Sequence, residues 1–246
     1  MKVLGIIPSR YASSRFPGKP LIDLMGKSMI QRVYDQAKKC SAFSEVVVAT
    51  DDQRIFDHVT AFGGVAAMTD ENHASGTERC GEVLKAYPNY DIVVNIQGDE
   101  PLIRPEQLAD LIRLFEDTTV EIGTLVKKMN KEAAIRNPNR IKVVLDKDKN
   151  GIYFSRSPIP HIANTPHPDW LKKTSFYKHI GIYAWRTETL KALLKLPASD
   201  LDKLESLEQL RWIYNGYKIR TIETTVETPN IDVPEDVQSV LNLLRG

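Results

Sequence analysis

Four short apolar runs, each ending in a polar turn and separated from the next by a stretch of helical periodicity, constrain this chain more than any other feature. Val3–Ile7, Val46–Ala49, Val65–Met68 and Ile92–Ile96 are strand-length blocks. They are continuous instead of alternating, as expected for parallel strands covered on both faces. Between them, Met29, Ile30, Val33 and Ala37 recur at helical spacing over about 28–39. Ile55, Val59 and Phe62 do the same up to Gly63-Gly64, and Cys80, Val83 and Leu84 do so over about 77–86. Pro105 opens a further helix over 105–116 with Leu108, Leu111, Ile112 and Phe115 inward. The order β, α, β, α predicts an α/β fold with a mainly parallel sheet and helices on both faces. Ligands of such sheets bind at the carboxyl edge of the strands.

The pattern changes after residue 120. Strand-like segments over 121–129, 141–145, 152–155 and 179–185 predominate, and Pro158, Pro160, Pro166 and Pro168 crowd an irregular stretch between the last two. A β-rich insertion beside the sheet is expected over 120–190, covering a substrate or forming a dimer contact. A helix over about 203–215, a strand over about 217–226 and a last helix opened by Pro234 complete a single domain spanning 1–246, without internal repeats.

Charge and composition narrow the function. Lys and Arg total 33 against 32 Asp and Glu, so no global field favours nucleic acid or an anionic membrane. Met1-Lys2 leads directly into a strand, and no apolar run approaches the roughly 20 residues of a membrane span. A soluble cytoplasmic protein is expected. Cys40 and Cys80 lack zinc-ligand spacing and fall on apolar helix faces, which predicts reduced core thiols. His58, His73, His161 and His167 also lack ligand spacing.

The loop after the first strand, Pro8-Ser-Arg-Tyr-Ala-Ser-Ser-Arg-Phe-Pro-Gly-Lys-Pro-Leu21, carries Arg10, Arg15 and Lys19 in a frame stiffened by prolines. Three cations converging at the carboxyl edge can hold a polyphosphate. This is not a Walker A loop: Gly26-Lys27-Ser28 has Leu21 where the first glycine would stand, and no G-x-G-x-x-G follows the strand. Asp99, in the turn Gln97-Gly98-Asp99-Glu100-Pro101, and Asp232, two residues before Pro234, are candidates for a magnesium pair. Two carboxylates suffice when a nucleotide supplies further oxygens. Asp232 reads equally as a turn or cap residue. Ser75 or Thr77 is the expected N-cap of its helix, with Glu78 in the first turn, and either hydroxyl can also face a nucleobase or phosphate. His179 and Tyr183 share one strand face by period-two alternation. Arg156 can bind a carboxylate in bidentate fashion.

The runs Pro8–Leu21, His73–Arg79, Asn95–Pro101, Tyr153–Arg156, His179–Tyr183, Leu207–Arg211 and Ile231–Asp236 resemble, in order and across nearly the whole chain, the 3-deoxy-manno-octulosonate (KDO) cytidylyltransferases. The resemblance implies a Rossmann-like nucleotidyltransferase sheet with a β-rich sugar-binding and dimerisation subregion over 120–190. It implies an enzyme that uses CTP, KDO and magnesium to make CMP-KDO for lipopolysaccharide synthesis, and a homodimer. By the same resemblance Arg10, Lys19 and Asp99 are catalytic. Pro8, Arg10, Ser13, Lys19, Ser75, Thr77, Arg79, Gln97 and Asp99 line the nucleotide pocket, Asp99 and Asp232 hold the metal, and Arg15, Gln97, Arg156, His179, Tyr183, Glu208 and Gln209 line the sugar pocket. Val233 stands where the family pattern has threonine, and 158–175 departs from the pattern beside the expected sugar site. An 8-amino sugar, a sialic acid or a purely nucleotide-sugar-binding role are the alternatives.

Overall fold

A computed structural model describes residues 1–13 and 15–245, so Ser14 of the first loop and Gly246 lie outside the described residues. Nine strands form one sheet: β1 (Val3–Ser9), β2 (Glu45–Thr50), β3 (Ala66–Met68), β4 (Ile92–Asn95), β5 (Ile122–Lys128), β6 (Lys142–Leu145), β7 (Gly151–Ser155), β8 (Tyr177–Arg186) and β9 (Ile219–Glu223). Their order is β3-β2-β1-β4-β8-β5-β9, with β6 and β7 branching from β8. The first four strands and the β5–β9 pair run parallel. The long β8 pairs antiparallel with β4 on one side and β5 on the other, and β6 pairs antiparallel with β7 and β8. β1, β2 and β4 are buried over almost their whole length, as their continuous apolar composition requires.

Helices cover both faces: α1 (Met29–Lys38), α2 (Gln53–Ala61), α3 (Gly76–Ala86), α4 (Pro105–Arg113), α5 (Glu132–Arg136), α6 (Trp170–Lys173), α7 (Thr187–Leu193), α8 (Asp200–Glu205), α9 (Gln209–Tyr214) and α10 (Asp236–Arg245). Odd and even positions of β8 feed separate cores. Ile180, Ile182 and Ala184 join the layer of α1, α2 and α4, whereas Tyr183 and Trp185 join Cys80, Leu190 and Trp212 under α3, α7 and α9. Both cysteines are buried free thiols, raised in pKa mainly by that burial.

Three expectations change. The 120–190 segment does not lie beside the sheet, because β5 and β8 are integral to it and only β6 and β7 branch off. The reason is that β8 buries both faces, so its alternating residues need a core on each side. The single helix expected over 203–215 is two, α8 and α9, broken at Ser206, whose φ of 51° is left-handed. Leu207 N then donates to Asp202 O at 3.0 Å, closing the helix as a C-terminal cap would. The proline-rich stretch is not wholly irregular, since α6 buries Trp170 against Phe176 at a ring separation of 5.7 Å.

Candidate active site

The carboxyl ends of β1, β2 and β4 open on one edge, where the loops 9–21, 50–52 and 97–101 meet the start of α3 and the segment before α10. Two glycines make the approach possible. Gly18 has φ of 73°, which is strained for other residues, and a Cβ at Gly98 would stand 2.7 Å from Pro8 O. The Asp99 turn therefore sits directly on the first loop.

Lys19 is the centre of this edge. Its ammonium donates to Asp99 Oδ2 at 2.7 Å and to Ile231 O at 3.0 Å, and stands 3.6 Å from Asp232 Oδ1. Residues distant in sequence are joined because Ile231, before α10, and Val240, on it, pack with Leu24 and Met29. Ile231 N also donates to Asp99 O at 2.9 Å. Asp236, at the start of α10, accepts from the amides of Asp232 and Val233 at 2.9 and 3.0 Å, which fixes the backbone that carries Asp232. Arg15 is mostly exposed and reaches Asp232 Oδ1 at 2.9 Å, which places it on the carboxylate pair. The two carboxylates thus converge on a position already held by a cation. That donor set suits magnesium, which takes one or two carboxylates and fills its remaining positions with water and phosphate oxygens. Among the described residues no cluster of three or more His, Cys, Asp or Glu has metal-binding geometry, so a metal held by Asp99 and Asp232 would take its further oxygens from other sources. The next residue, Glu100, is buried and accepts from Thr228 Oγ1 at 2.9 Å. Burial, and then the Asp99 charge, push its carboxyl up to about 7.

Arg10 is half-exposed, with Nε 3.5 Å from Asp51 Oδ2. The same carboxylate accepts from Arg79 Nη2 at 2.8 Å, and Arg79 Nη1 donates to Thr69 Oγ1. Arg79 is 1% exposed. Its guanidinium is committed to Asp51 and Thr69, so Arg79, expected in the nucleotide pocket, shares one aspartate with Arg10. Sequence reading missed Asp51, although its position in the turn ending β2, at the same edge, was the available signal. Pro8 lies against Gly76 and Gly98. Ser13 belongs to the first loop, with its amide on Tyr11 O at 2.9 Å.

Ser75 caps α3 by accepting from Glu78 N at 3.2 Å, while Glu78 accepts from Ala74 N at 2.7 Å, a variant of the reciprocal capping box. The hydroxyls of Ser75 and Thr77 both donate to Glu208, at 3.1 and 2.6 Å. Glu208 thus links the entry of α9 to that of α3. Burial raises its pKa, and the two hydroxyls offset only part of that.

The residues expected to meet a sugar lie across β4, β8 and α9. Gln97 donates to Gly181 O at 2.8 Å, joining the Asp99 turn to β8. His179 and Tyr183 share a face, with ring centroids 5.2 Å apart. Burial pushes the His179 imidazole down to about 3, Lys178 adding to the effect, so the ring is neutral, with Nε2 3.0 Å from Thr124 Oγ1. Burial raises the Tyr183 phenol far above its usual range. Among the described residues, the Tyr183 hydroxyl, Trp185 Nε1, Gln209 Nε2, Asn95 Oδ1 and Ser9 Oγ are buried without hydrogen-bond partners. Unpaired buried polar atoms are rare in native folds and call for a partner. Ser9, Asn95 and Tyr183 stand on β1, β4 and β8 and Gln209 at the start of α9, and a polar ligand reaching them would satisfy them.

Arg156 is held elsewhere. Its guanidinium donates to the carbonyls of Glu205 at 2.7 Å, Pro138 at 3.2 Å and Ser206 at 3.4 Å, closing the end of α8. Glu205 in turn accepts from Ser155 Oγ at 2.5 Å and Arg156 N at 2.9 Å. Beneath them Lys142, fully buried, donates to Asn137 O at 3.1 Å and to Arg156 O. Burial lowers its ammonium to about 8 against the attraction of Glu205. Nothing in the local sequence distinguished Lys142 from a surface lysine.

Residues 4–219 match the family model described as Cytidylyltransferase. The chain is 52% identical, over 99% of its length and 98% of the relative's, to a 3-deoxy-manno-octulosonate cytidylyltransferase of Parabacteroides distasonis. It is also 52% identical to one of Bacteroides thetaiotaomicron over 100% and 99%. The solved structure of a CMP:2-keto-3-deoxy-manno-octonic acid synthetase complexed with CTP superposes with a TM-score of 0.93 at 42% identity, covering 100% of this chain and 99% of that one. A putative glucose-1-phosphate thymidylyltransferase from Bacillus anthracis, 17% identical with a TM-score of 0.70, shares the fold. The full-length matches, the CTP-bound likeness and the Lys19–Asp99–Asp232 cluster at the sheet edge make this chain a member of the 3-deoxy-manno-octulosonate cytidylyltransferase family.

Proposed function

We propose that the protein transfers CMP from CTP to the anomeric hydroxyl of KDO, releasing pyrophosphate and supplying an activated sugar for lipopolysaccharide synthesis. The observation that carries the reading is Lys19 bridging Asp99 and Asp232 beside a half-exposed Arg10 at the carboxyl edge. Lys19 and Arg10 neutralise the triphosphate. As the sugar oxygen bonds to the α-phosphorus, its proton passes to solvent, the bond from that phosphorus to the oxygen bridging to the β-phosphate breaks, and the same cations stabilise the charge that collects on pyrophosphate. No covalent nucleophile is required. Magnesium held by Asp99 and Asp232 would supply further charge to the phosphate oxygens.

Ser75, Thr77 and Glu208 sit where they can order the nucleoside, while the uncharged His179, Tyr183 and Gln209 offer hydrogen-bonding groups to sugar hydroxyls. Arg15 reaches the carboxylate pair, so its contact with the sugar acid is made from the phosphate side. Arg156 meets the acid only by leaving the carbonyls it now binds. No helix among the described residues is long and apolar enough to cross a membrane. A homodimer is supported by the exposed apolar Ile152 and Leu204, on β7 and α8, elements tied by the Ser155–Glu205 bond; sedimentation of the intact protein checks it.

The deciding experiment is pyrophosphate release with magnesium for each ribonucleoside triphosphate against KDO, its 8-amino analogue, sialic acid and no sugar. Release only with CTP and KDO, lost on chelation of the metal, is the expected result. Release with another acidic sugar would keep the chemistry and change the substrate, and no release with any pair would leave a nucleotide-sugar-binding role.

A further inference from the structure

The carboxyl end of β5 carries a basic cavity of about 120 Å³ that the transfer reaction does not use. Lys127, Lys128, Lys131, Arg140 and Lys178 line it together with a single carboxylate, Glu227. Lys127 and Lys178 are direct register partners across β5 and β8. Like charges in that position repel and weaken a strand pair unless an anion lies between them. Glu227 answers part of the demand, accepting from Arg140 at 2.6 Å and Lys178 at 3.2 Å and standing 3.8 Å from Lys127. These bonds and charges outweigh the effect of burial and keep its carboxyl below the usual range. Lys128 and Lys131 have no carboxylate partner among the described residues.

Lys127 and Lys178 are register partners that period-two alternation sends to the opposite face of the sheet from His179 and Tyr183, while Lys128 reaches the cavity from the end of β5. No aromatic side chain lines the cavity, so it has no surface on which to stack a base. Lysine ammoniums are compact point charges suited to phosphate oxygens.

From this arrangement we infer a second anion site, formed by Lys127, Lys128, Lys131, Arg140 and Lys178, that takes a multiply charged phosphate group without a nucleobase. The group belongs either to a small soluble phosphate compound or to a phospholipid headgroup.

Calorimetric titration with inorganic pyrophosphate, without divalent metal, tests it. The intact protein is expected to show two independent binding events, one at the Lys19 loop and one here. Lys19→Ala removes the first and leaves the second. The double variant Lys131→Glu, Arg140→Glu weakens the second at least tenfold and leaves turnover within about twofold, while Lys128→Ala, at an exposed position, weakens it less. A single event abolished by Lys19→Ala, or a second event untouched by either cavity variant, would overturn the site. Because binding at the cavity is read in the Lys19→Ala protein, the result stands whether or not the transfer reaction is as proposed. Sedimentation with vesicles of phosphatidylglycerol and phosphatidylcholine separates the sources. Binding lost in the double variant identifies a headgroup, and pyrophosphate binding without sedimentation identifies a soluble ligand.

Discussion

The edge around Lys19, proposed to meet the triphosphate, and the edge around Tyr183, proposed to meet the sugar, handle polarity in opposite ways. Around Lys19 the groups are charged, partly exposed and mutually paired: the Lys19 and Asp99 side chains are 15% and 22% exposed and Arg10 is 48% exposed. Around Tyr183 they are neutral, buried and in part unpaired. The contrast follows from what each side meets. Charge accumulates on a triphosphate during transfer, so cations held near solvent suit it. A sugar presents many hydroxyls and one acid, and discriminating among hydroxyls needs fixed neutral donors and acceptors whose unpaired state is costly. The unpaired groups around Tyr183 therefore cost the empty fold stability in exchange for ligand fit, whereas the paired charges around Lys19 do not.

Variants on the two sides sharpen this difference. The largest effect is expected from Asp99→Asn, which removes a charge aimed at the reacting phosphates. Turnover should fall by about 10³-fold with an unchanged melting temperature, and near-normal pyrophosphate release would remove Asp99 from the mechanism. Arg79→Met probes a charge that lies on the phosphate side yet is buried. Leaving Asp51 without its buried partner should cost about 3 kcal/mol of stability, read by denaturant unfolding. A rise in the KM for CTP with full stability would instead mean that Arg79 contacts nucleotide.

On the sugar side, Tyr183→Phe deletes a hydroxyl that has no partner in the fold. Stability should hold or rise slightly, while the KM for the sugar rises up to about tenfold, the worth of one hydrogen bond. Loss of stability without a change in KM would show that the hydroxyl is bonded within the fold. The smallest effect is a slope. Lys142 gives up its proton near pH 8 in the folded chain and at its ordinary value of 10.5 when unfolded, so between these the unfolded state binds more protons. Stability from this group therefore rises with pH across that window. Melting temperatures of the wild type and Lys142→Met should diverge in the wild type's favour from pH 8 to 10, and parallel curves would refute the lowered pKa.

Much of this was legible in the chain. The strands β1, β2 and β4 follow from apolar runs too long and continuous to be anything but covered, and α1 and α4 from apolar positions at i, i+3, i+4 and i+7. The Ser75 cap and the buried thiols were equally local. The placement of β8 was not. Its apolar pattern specifies a strand, but which neighbours it pairs with depends on β4 and β5 offering edges far away in sequence. The break at Ser206 was hidden as well, because periodicity continues through it and only the αL turn separates the helices.

The sequence by itself determined the phosphate loop, the paired aspartates as candidates, and the βα alternation that puts loops at one edge, because these rest on backbone periodicity and residue chemistry within a few positions. Only the tertiary structure decided that Arg79 is committed to Asp51, that Arg156 closes α8, that Glu208 holds Ser75 and Thr77, and that Lys142 is buried. In each case the partner is brought by a different element, and an arginine or lysine has the same local signature whether it faces solvent, ligand or a buried carbonyl.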